Sequence, residues 1–205
     1  MRINQMEPWI DQAEKKAMQE YLDSGGWLTE FEKTREFESM LAEFIGSKHV
    51  HAATSGTIAL MVALMALGIG YGDEVLCPDF TMIASANAIA LVGAKPVLVD
   101  IDPRNLCLDL KQAEEAITEA TVAMIYVDLD GRCHNMNDVR AFCEKCSLCL
   151  VEDACQALGS KSDGRYLGTF GDIGCFSFSF AKIITMGEGG AVVTDGDKLS
   201  TWASR

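Results

Sequence analysis

Three short stretches hold the residue types that could do chemistry. Lys182 follows the mostly apolar run Gly174-Cys175-Phe176-Ser177-Phe178-Ser179-Phe180-Ala181 and precedes the turn Gly187-Glu188-Gly189-Gly190. A desolvated lysine amine adds to a carbonyl and forms a Schiff base. For any single lysine at a strand end, a solvated surface side chain is the plainer reading. In Val151-Glu152-Asp153-Ala154-Cys155-Gln156 an apolar run delivers acids at its end. A carboxylate there could cap a helix. It could also face a pyridine nitrogen, keep it protonated and so make the ring an electron sink. Thr54-Ser55-Gly56-Thr57 opens a long apolar segment. Ser or Thr at that point is a common helix N-cap. The free N–H groups and dipole of the helix start also favour an anion, and Gly56 lets a phosphate approach the backbone.

Two other patterns carry less. Cys143, Cys146 and Cys149 form a CxxCxxC run, a spacing that can ligate an iron–sulfur cluster. The first two close an amphipathic helical stretch, Asn137 to Lys145, and the third falls in the strand Leu148–Val151. Cluster binding would break both elements, so the thiols are read as buried packing groups and no metal site is expected. The glycines of Gly68-Ile69-Gly70-Tyr71-Gly72 follow a helix and precede a strand. That is the reverse of the context a dinucleotide loop needs.

Elements must position these residues. Trp9 to Leu22 has helical spacing and is broken by Ser24-Gly25-Gly26. A second helix is expected from about Glu30 to Phe44, with Phe37, Met40, Leu41 and Phe44 on one face and Gly46 after it. From His49 strands and helices alternate. Strands are read at Val50–Ala53, Glu74–Cys77, Pro96–Asp100, Val122–Val127, Leu148–Glu152, Gly174–Phe178 and Gly190–Thr194. Helices are read at Thr57–Leu67, Ile83–Leu91, Leu110–Ile117 and Asn137–Lys145. This alternation predicts an α/β fold with a mostly parallel seven-stranded sheet flanked by helices. In such a sheet ligands bind beyond the carboxyl ends of the strands, where the three stretches fall.

The 205 residues are enough for one sizeable α/β core. With 49% hydrophobic and 23% charged residues, the chain has no disorder signature. The net charge of −13 argues against a nucleic-acid partner, which needs clustered Lys and Arg. The polar, acidic start from Met1 to Asp11 has no signal-peptide pattern, which gives a cytoplasmic location as the default expectation. The longest apolar run, Ile58 to Ile69, is too short to span a bilayer and reads as a buried helix, so no membrane partner is expected.

The order of the motifs is similar to that of the DegT/StrS family of sugar aminotransferases. Ser55-Gly56-Thr57, Glu152-Asp153-Ala154-Cys155-Gln156-Ala157, then Gly171-Asp172-Ile173-Gly174-Cys175-Phe176-Ser177-Phe178 leading to Lys182 and Gly187-Glu188-Gly189-Gly190 carry the likeness. Ser24 to Thr29 resembles the family's N-terminal loop, Phe37-Glu38 its following helix, and Gly131-Arg132 the turn after its middle strand. The resemblance implies the pyridoxal-phosphate-dependent transferase type I fold, aspartate-aminotransferase-like, with pyridoxal 5'-phosphate as cofactor. It divides the chain into an N-terminal helical segment, 1–45, and a large cofactor-binding α/β domain, 46–205. Lys182 resembles the lysine that holds the cofactor as a Schiff base and later moves the proton. Asp153 resembles the partner of the pyridinium nitrogen, and Gln156 the residue near the ring's phenolic oxygen. Gly56, Thr57 and Ser177 look like phosphate ligands, the serine lying five residues before the lysine. Met82, in Pro78-Asp79-Phe80-Thr81-Met82, stands where the family usually stacks an aromatic on the ring.

The implied reaction moves an amino group from an amino acid, glutamate, to a nucleotide-linked keto sugar, in the building of surface polysaccharides or secondary metabolites. A homodimer with shared sites is implied. Two alternatives stay open. The family's dehydratases carry histidine where Lys182 stands, and a non-catalytic cofactor-binding or regulatory protein could keep the fold. The chain stops at Arg205 inside an expected helix, Leu199 to Ser204. It is therefore expected to be the N-terminal part of a longer protein, lacking the family's small C-terminal domain.

Overall fold

The computed structural model describes residues 7–27 and 32–204. The sequence-read start of the second helix at Glu30, and the end of the N-terminal loop at Leu28 and Thr29, lie outside the described residues. Seven strands form one sheet: β1 (His49–Ala53), β2 (Glu74–Pro78), β3 (Lys95–Val99), β4 (Thr121–Val127), β5 (Cys149–Asp153), β6 (Ile173–Ser177) and β7 (Gly190–Thr194). Their order across the sheet is β1-β7-β6-β5-β4-β2-β3. β3, β2, β4, β5 and β6 run parallel, and β7 runs antiparallel to both its neighbours. Every residue of β6 and β7 is buried, as expected for strands covered on both faces.

Helices cover the two faces. On one side lie α2 (Glu32–Ile45), α5 (Leu110–Ala116) and α6 (Met136–Cys146), which place Leu41, Ile45, Ala113, Met136, Val139 and Phe142 against Tyr126, Leu150 and Phe176. On the other, α3 (Gly56–Ala66) and α4 (Ala84–Leu91) pack Ala59, Leu60, Ala63, Leu64, Ala88 and Ile89 on Ile125, Val151, Cys175 and Val192. The apolar run from Ile58 is thus a buried helix. The last helix, α7 (Asp197–Ala203), contacts β1, β7 and α3.

The first helix, α1 (Gln12–Asp23), starts later than the periodicity suggests. Asp11 closes a capping box with Glu14, so the helix begins after it. It buries no residue. Two short ribbons went unread in the sequence: Ile101–Asp102 with Cys107–Leu108, and Lys161–Ser162 with Arg165–Tyr166. Two-residue strands have no periodicity to read.

One topological detail sets up the site. β6 and β7 are joined by a hairpin loop, Phe178 to Gly189, closed by the Phe178 N–H donating to the Gly189 carbonyl at 2.8 Å. Ser177, at the end of β6, is therefore opposite Gly190, at the start of β7, and Gly190 is opposite Ala53, at the end of β1. α3 begins three residues later, so its N-terminus stands beside the end of β6.

Candidate active site

A cradle of a shape that would suit an anion is built by close approach. A Cβ added at Gly56 would lie 2.7 Å from Ser177 Cβ and 2.9 Å from Cys155 Sγ. A Cβ at Gly190 would press on the Ser55 carbonyl oxygen and lie 2.9 Å from the Gly56 nitrogen. Only glycine lets the start of α3, the end of β6 and the start of β7 meet at this distance. Ser55 is the N-cap of α3, its hydroxyl accepting from the Ile58 N–H at 3.3 Å. The cap and the cradle are the same structure. Thr57 is half-buried at the second position of the helix, and Ser177 is buried.

Asp153 ends β5, flanked in register by Val127 and Cys175. It is 4% exposed. One carboxylate oxygen, Oδ2, accepts from Ser85 Oγ at 2.7 Å. The other, Oδ1, accepts from the Cys155 N–H at 3.2 Å. Cys155 stands between this carboxylate and the cradle. Burial raises its thiol well above the ordinary range, Asp153 adds to that, and the Lys182 ammonium opposes it. Lys182 itself is half-buried on the β6–β7 loop, its N–H donating to the Ser179 carbonyl at 3.0 Å. Gln156, one turn beyond Asp153, accepts on Oε1 from the Asp130 N–H at 3.3 Å. Asp130 reaches it from the loop after β4, with φ of 54°. Met82 and Phe80, on the loop after β2, are 61% and 55% exposed.

Gly56, Ser177 and Asp153 are thus brought to one sheet edge with Cys155 between them, and Lys182 stands on the loop beside it. Ser85 was missed in the sequence. Its signal was there: Ser85, Ala88 and Ile89 share the buried face of α4, and a serine on an apolar face needs a partner.

Behind the site lies a second acidic pair. Glu152 is fully buried and accepts from the N–H groups of Gly168, Phe170 and Gly171 at 2.6, 2.7 and 3.0 Å. Asp128 is fully buried beside it, and neither of its oxygens reaches a donor among the described residues. Burial, then the Glu152 charge, raises the Asp128 carboxyl well above its ordinary value. The three N–H groups oppose the rise at Glu152. Asp128 is the member that keeps a proton. The cysteines of the CxxCxxC run are split as expected, Cys143 and Cys146 on α6 and Cys149 at the start of β5. Burial pushes the Cys143 thiol up to about 12, away from the thiolate a metal needs. No cluster of three potential metal ligands occurs among the described residues. None of their helices is long and apolar enough to cross a membrane.

A sheet of this order, with β7 alone reversed and candidate site residues at the carboxyl ends of β5 and β6, is the type I fold of pyridoxal-phosphate-dependent transferases. Residues 8–204 match the model of the DegT/DnrJ/EryC1/StrS aminotransferase family, and the chain belongs to that family. It is 41% identical over 200 residues to a GDP-perosamine synthase of Caulobacter vibrioides, covering 97% of this chain and 54% of that protein. It is 45% identical over 166 residues to an L-glutamine:2-deoxy-scyllo-inosose aminotransferase of Streptoalloteichus tenebrarius, covering 81% and 39%. Among solved structures, a GDP-4-keto-6-deoxymannose-3-dehydratase with a trapped PLP-glutamate geminal diamine superposes with a TM-score of 0.93 at 29% identity, covering 99% of this chain and 54% of that one. The chain spans about half the length of the relatives it matches.

Proposed function

We propose that this protein binds pyridoxal 5'-phosphate and serves an aminotransferase that moves an amino group from glutamate to a nucleotide-linked keto sugar, working as a homodimer. The observation that carries the reading is the meeting of a buried carboxylate and a helix-start cradle at one sheet edge, beside a loop that holds a lysine. These groups fit the cofactor's charge pattern. The cradle suits a phosphate, and the carboxylate suits a protonated ring nitrogen.

Backbone N–H groups at Gly56 and Thr57, with the Ser177 hydroxyl, would hold the phosphate. Asp153 would pair with the ring nitrogen and keep its proton in place. Gln156 would stand by the phenolic oxygen, and Met82 would cover a ring face through its sulfur. The bound cofactor supplies an electron sink for negative charge on the substrate carbon. Lys182 would hold the cofactor covalently and, once released, its amine would carry a proton between the substrate carbon and the cofactor.

The dehydratase alternative asks for histidine at position 182, where this chain has lysine. Its three histidines lie elsewhere, His49 and His51 on β1 and His134 before α6. The complete set of Asp153, Gln156, Ser177 and Lys182 favours catalysis over a purely regulatory role. Relatives named for glutamine and for 2-deoxy-scyllo-inosose make glutamine the second donor, and that ketone the second acceptor, to assay.

The test is direct. Protein loaded with pyridoxal 5'-phosphate is reduced with borohydride and digested. Mass spectrometry is expected to find the cofactor mass on Lys182, and an adduct confined to another lysine overturns the assignment. Keto-acid release from glutamate and from glutamine, with GDP-, UDP- and dTDP-linked keto sugars as acceptors, then defines the reaction.

A further inference from the structure

We propose that Ser85 is a positioning residue for Asp153, holding its carboxylate in the one orientation that presents an oxygen to the cofactor's ring nitrogen. This rests on the cofactor reading above and adds a residue to it. Asp153 has two oxygens and a broad terminal torsion about which they can turn. Ser85 Oγ donates to Oδ2 at 2.7 Å, and the Cys155 N–H donates to Oδ1 at 3.2 Å. The two donors come from different segments, the first turn of α4 and the turn that follows β5. Together they fix the carboxylate plane. Each oxygen keeps a free lone pair for a further donor.

The hydroxyl has no competing duty in its own helix. Ile83 is the N-cap of α4 and makes no side-chain cap bond, and Ser85 is fully buried. Its bond crosses 68 positions of sequence to an ionisable side chain. Thr81 Oγ1 stands 3.4 Å from Ser85 Oγ. With the Ser85 proton directed at the carboxylate, Thr81 is the donor of that pair, and the chain Thr81 to Ser85 to Asp153 runs in one direction. A charged acceptor makes the bond stronger than one between neutral groups. The loop after β2 thereby sets the electrostatics of a group three strands away in sequence.

The experiment compares binding of pyridoxal 5'-phosphate with that of its 1-deaza analogue, in which carbon replaces the ring nitrogen. Wild type is expected to prefer the natural cofactor. Ser85→Ala is expected to reduce that preference about tenfold while leaving deaza affinity unchanged, and Ser85→Thr, which keeps the hydroxyl, to restore it. Ser85→Cys fills the same space with a weak donor and replaces the alanine variant if that folds poorly. Loss of affinity for both compounds in equal measure marks a merely structural serine and overturns the proposal. An unchanged preference in Ser85→Ala overturns it as well, with the cofactor reading left standing. Wild type that binds neither compound removes the cofactor reading itself, and the role of Ser85 with it.

Discussion

A carboxylate that is 4% exposed and holds two hydrogen bonds has acceptor capacity to spare. Asp153 is such a group, and a helix cap would not leave it so. Asp153→Asn keeps the shape but cannot hold a ring nitrogen protonated by charge. It is expected to slow both half-reactions about a hundredfold or more, while cofactor affinity falls by much less. Stopped-flow measurement of each half-reaction checks this, and near-normal turnover would reduce Asp153 to a structural role. Residues of this kind were legible in the sequence because they sit where a strand stops. Asp153 closes Leu150-Val151-Glu152, Ser177 closes Gly174-Cys175-Phe176, and Gly56 follows Val50 to Ala53. Ser85 and Asp130 were not legible. Each acts through a contact far along the chain, and no local pattern records which distant group a serine hydroxyl or a loop N–H will meet.

At the scale of elements, the site depends on β7 running backwards. The reversal sets Gly190 opposite both Ser177 and Ala53 and against the start of α3. Gly190→Ala is expected to push the Ser55–Gly56 peptide out of place. Affinity for pyridoxal 5'-phosphate should fall at least tenfold, with a stability loss of about 1–3 kcal/mol. Fluorescence titration and urea unfolding read the two effects, and an alanine variant with unchanged affinity would separate β7 from the cradle. The strands were legible as apolar runs, but the direction of β7 was not, because a strand buried on both faces reads the same either way. The pair formed by β4 and β5 gives a further prediction. Asp128, the residue after β4, keeps its proton in the folded protein, because burial and the Glu152 charge raise it well above 3.8. The unfolded chain releases that proton above its ordinary value, so stability is full at low pH and falls as pH rises toward the folded value. The slope is about 1.4 kcal/mol per pH unit for one proton. Asp128→Asn cannot ionise and can still donate to Glu152. Its advantage over wild type should be absent near pH 4 and widen as pH rises above that. A gap that does not change with pH would show that Asp128 is ionised in the fold.

At the scale of the whole molecule, much of what surrounds the site is open and apolar. Phe180, Ile183 and Ile184 on the β6–β7 loop are 71%, 67% and 57% exposed, and Met82 and Ile83, just before α4, are 61% and 64% exposed. α1 buries none of its residues. The loop that carries Lys182 therefore leaves these apolar side chains open to solvent. Proton transfer at a substrate carbon needs water excluded and the reacting atoms held in line. In relatives about twice this length, further polypeptide is available to supply that cover. The 205-residue chain by itself is accordingly expected to bind pyridoxal 5'-phosphate weakly, to associate through these apolar loops, and to turn over at least about a hundredfold more slowly than an enclosed site. The comparison sets the chain beside a fusion to the remaining length of a relative such as the GDP-perosamine synthase. Both receive cofactor, glutamate and a GDP-linked keto sugar, with 2-oxoglutarate release followed and mass in solution measured by light scattering. Ile183→Ser with Ile184→Ser should reduce association of the short chain. Turnover by the short chain at the rate of the fusion would mean that the sheet edge and its two loops enclose the reaction without help.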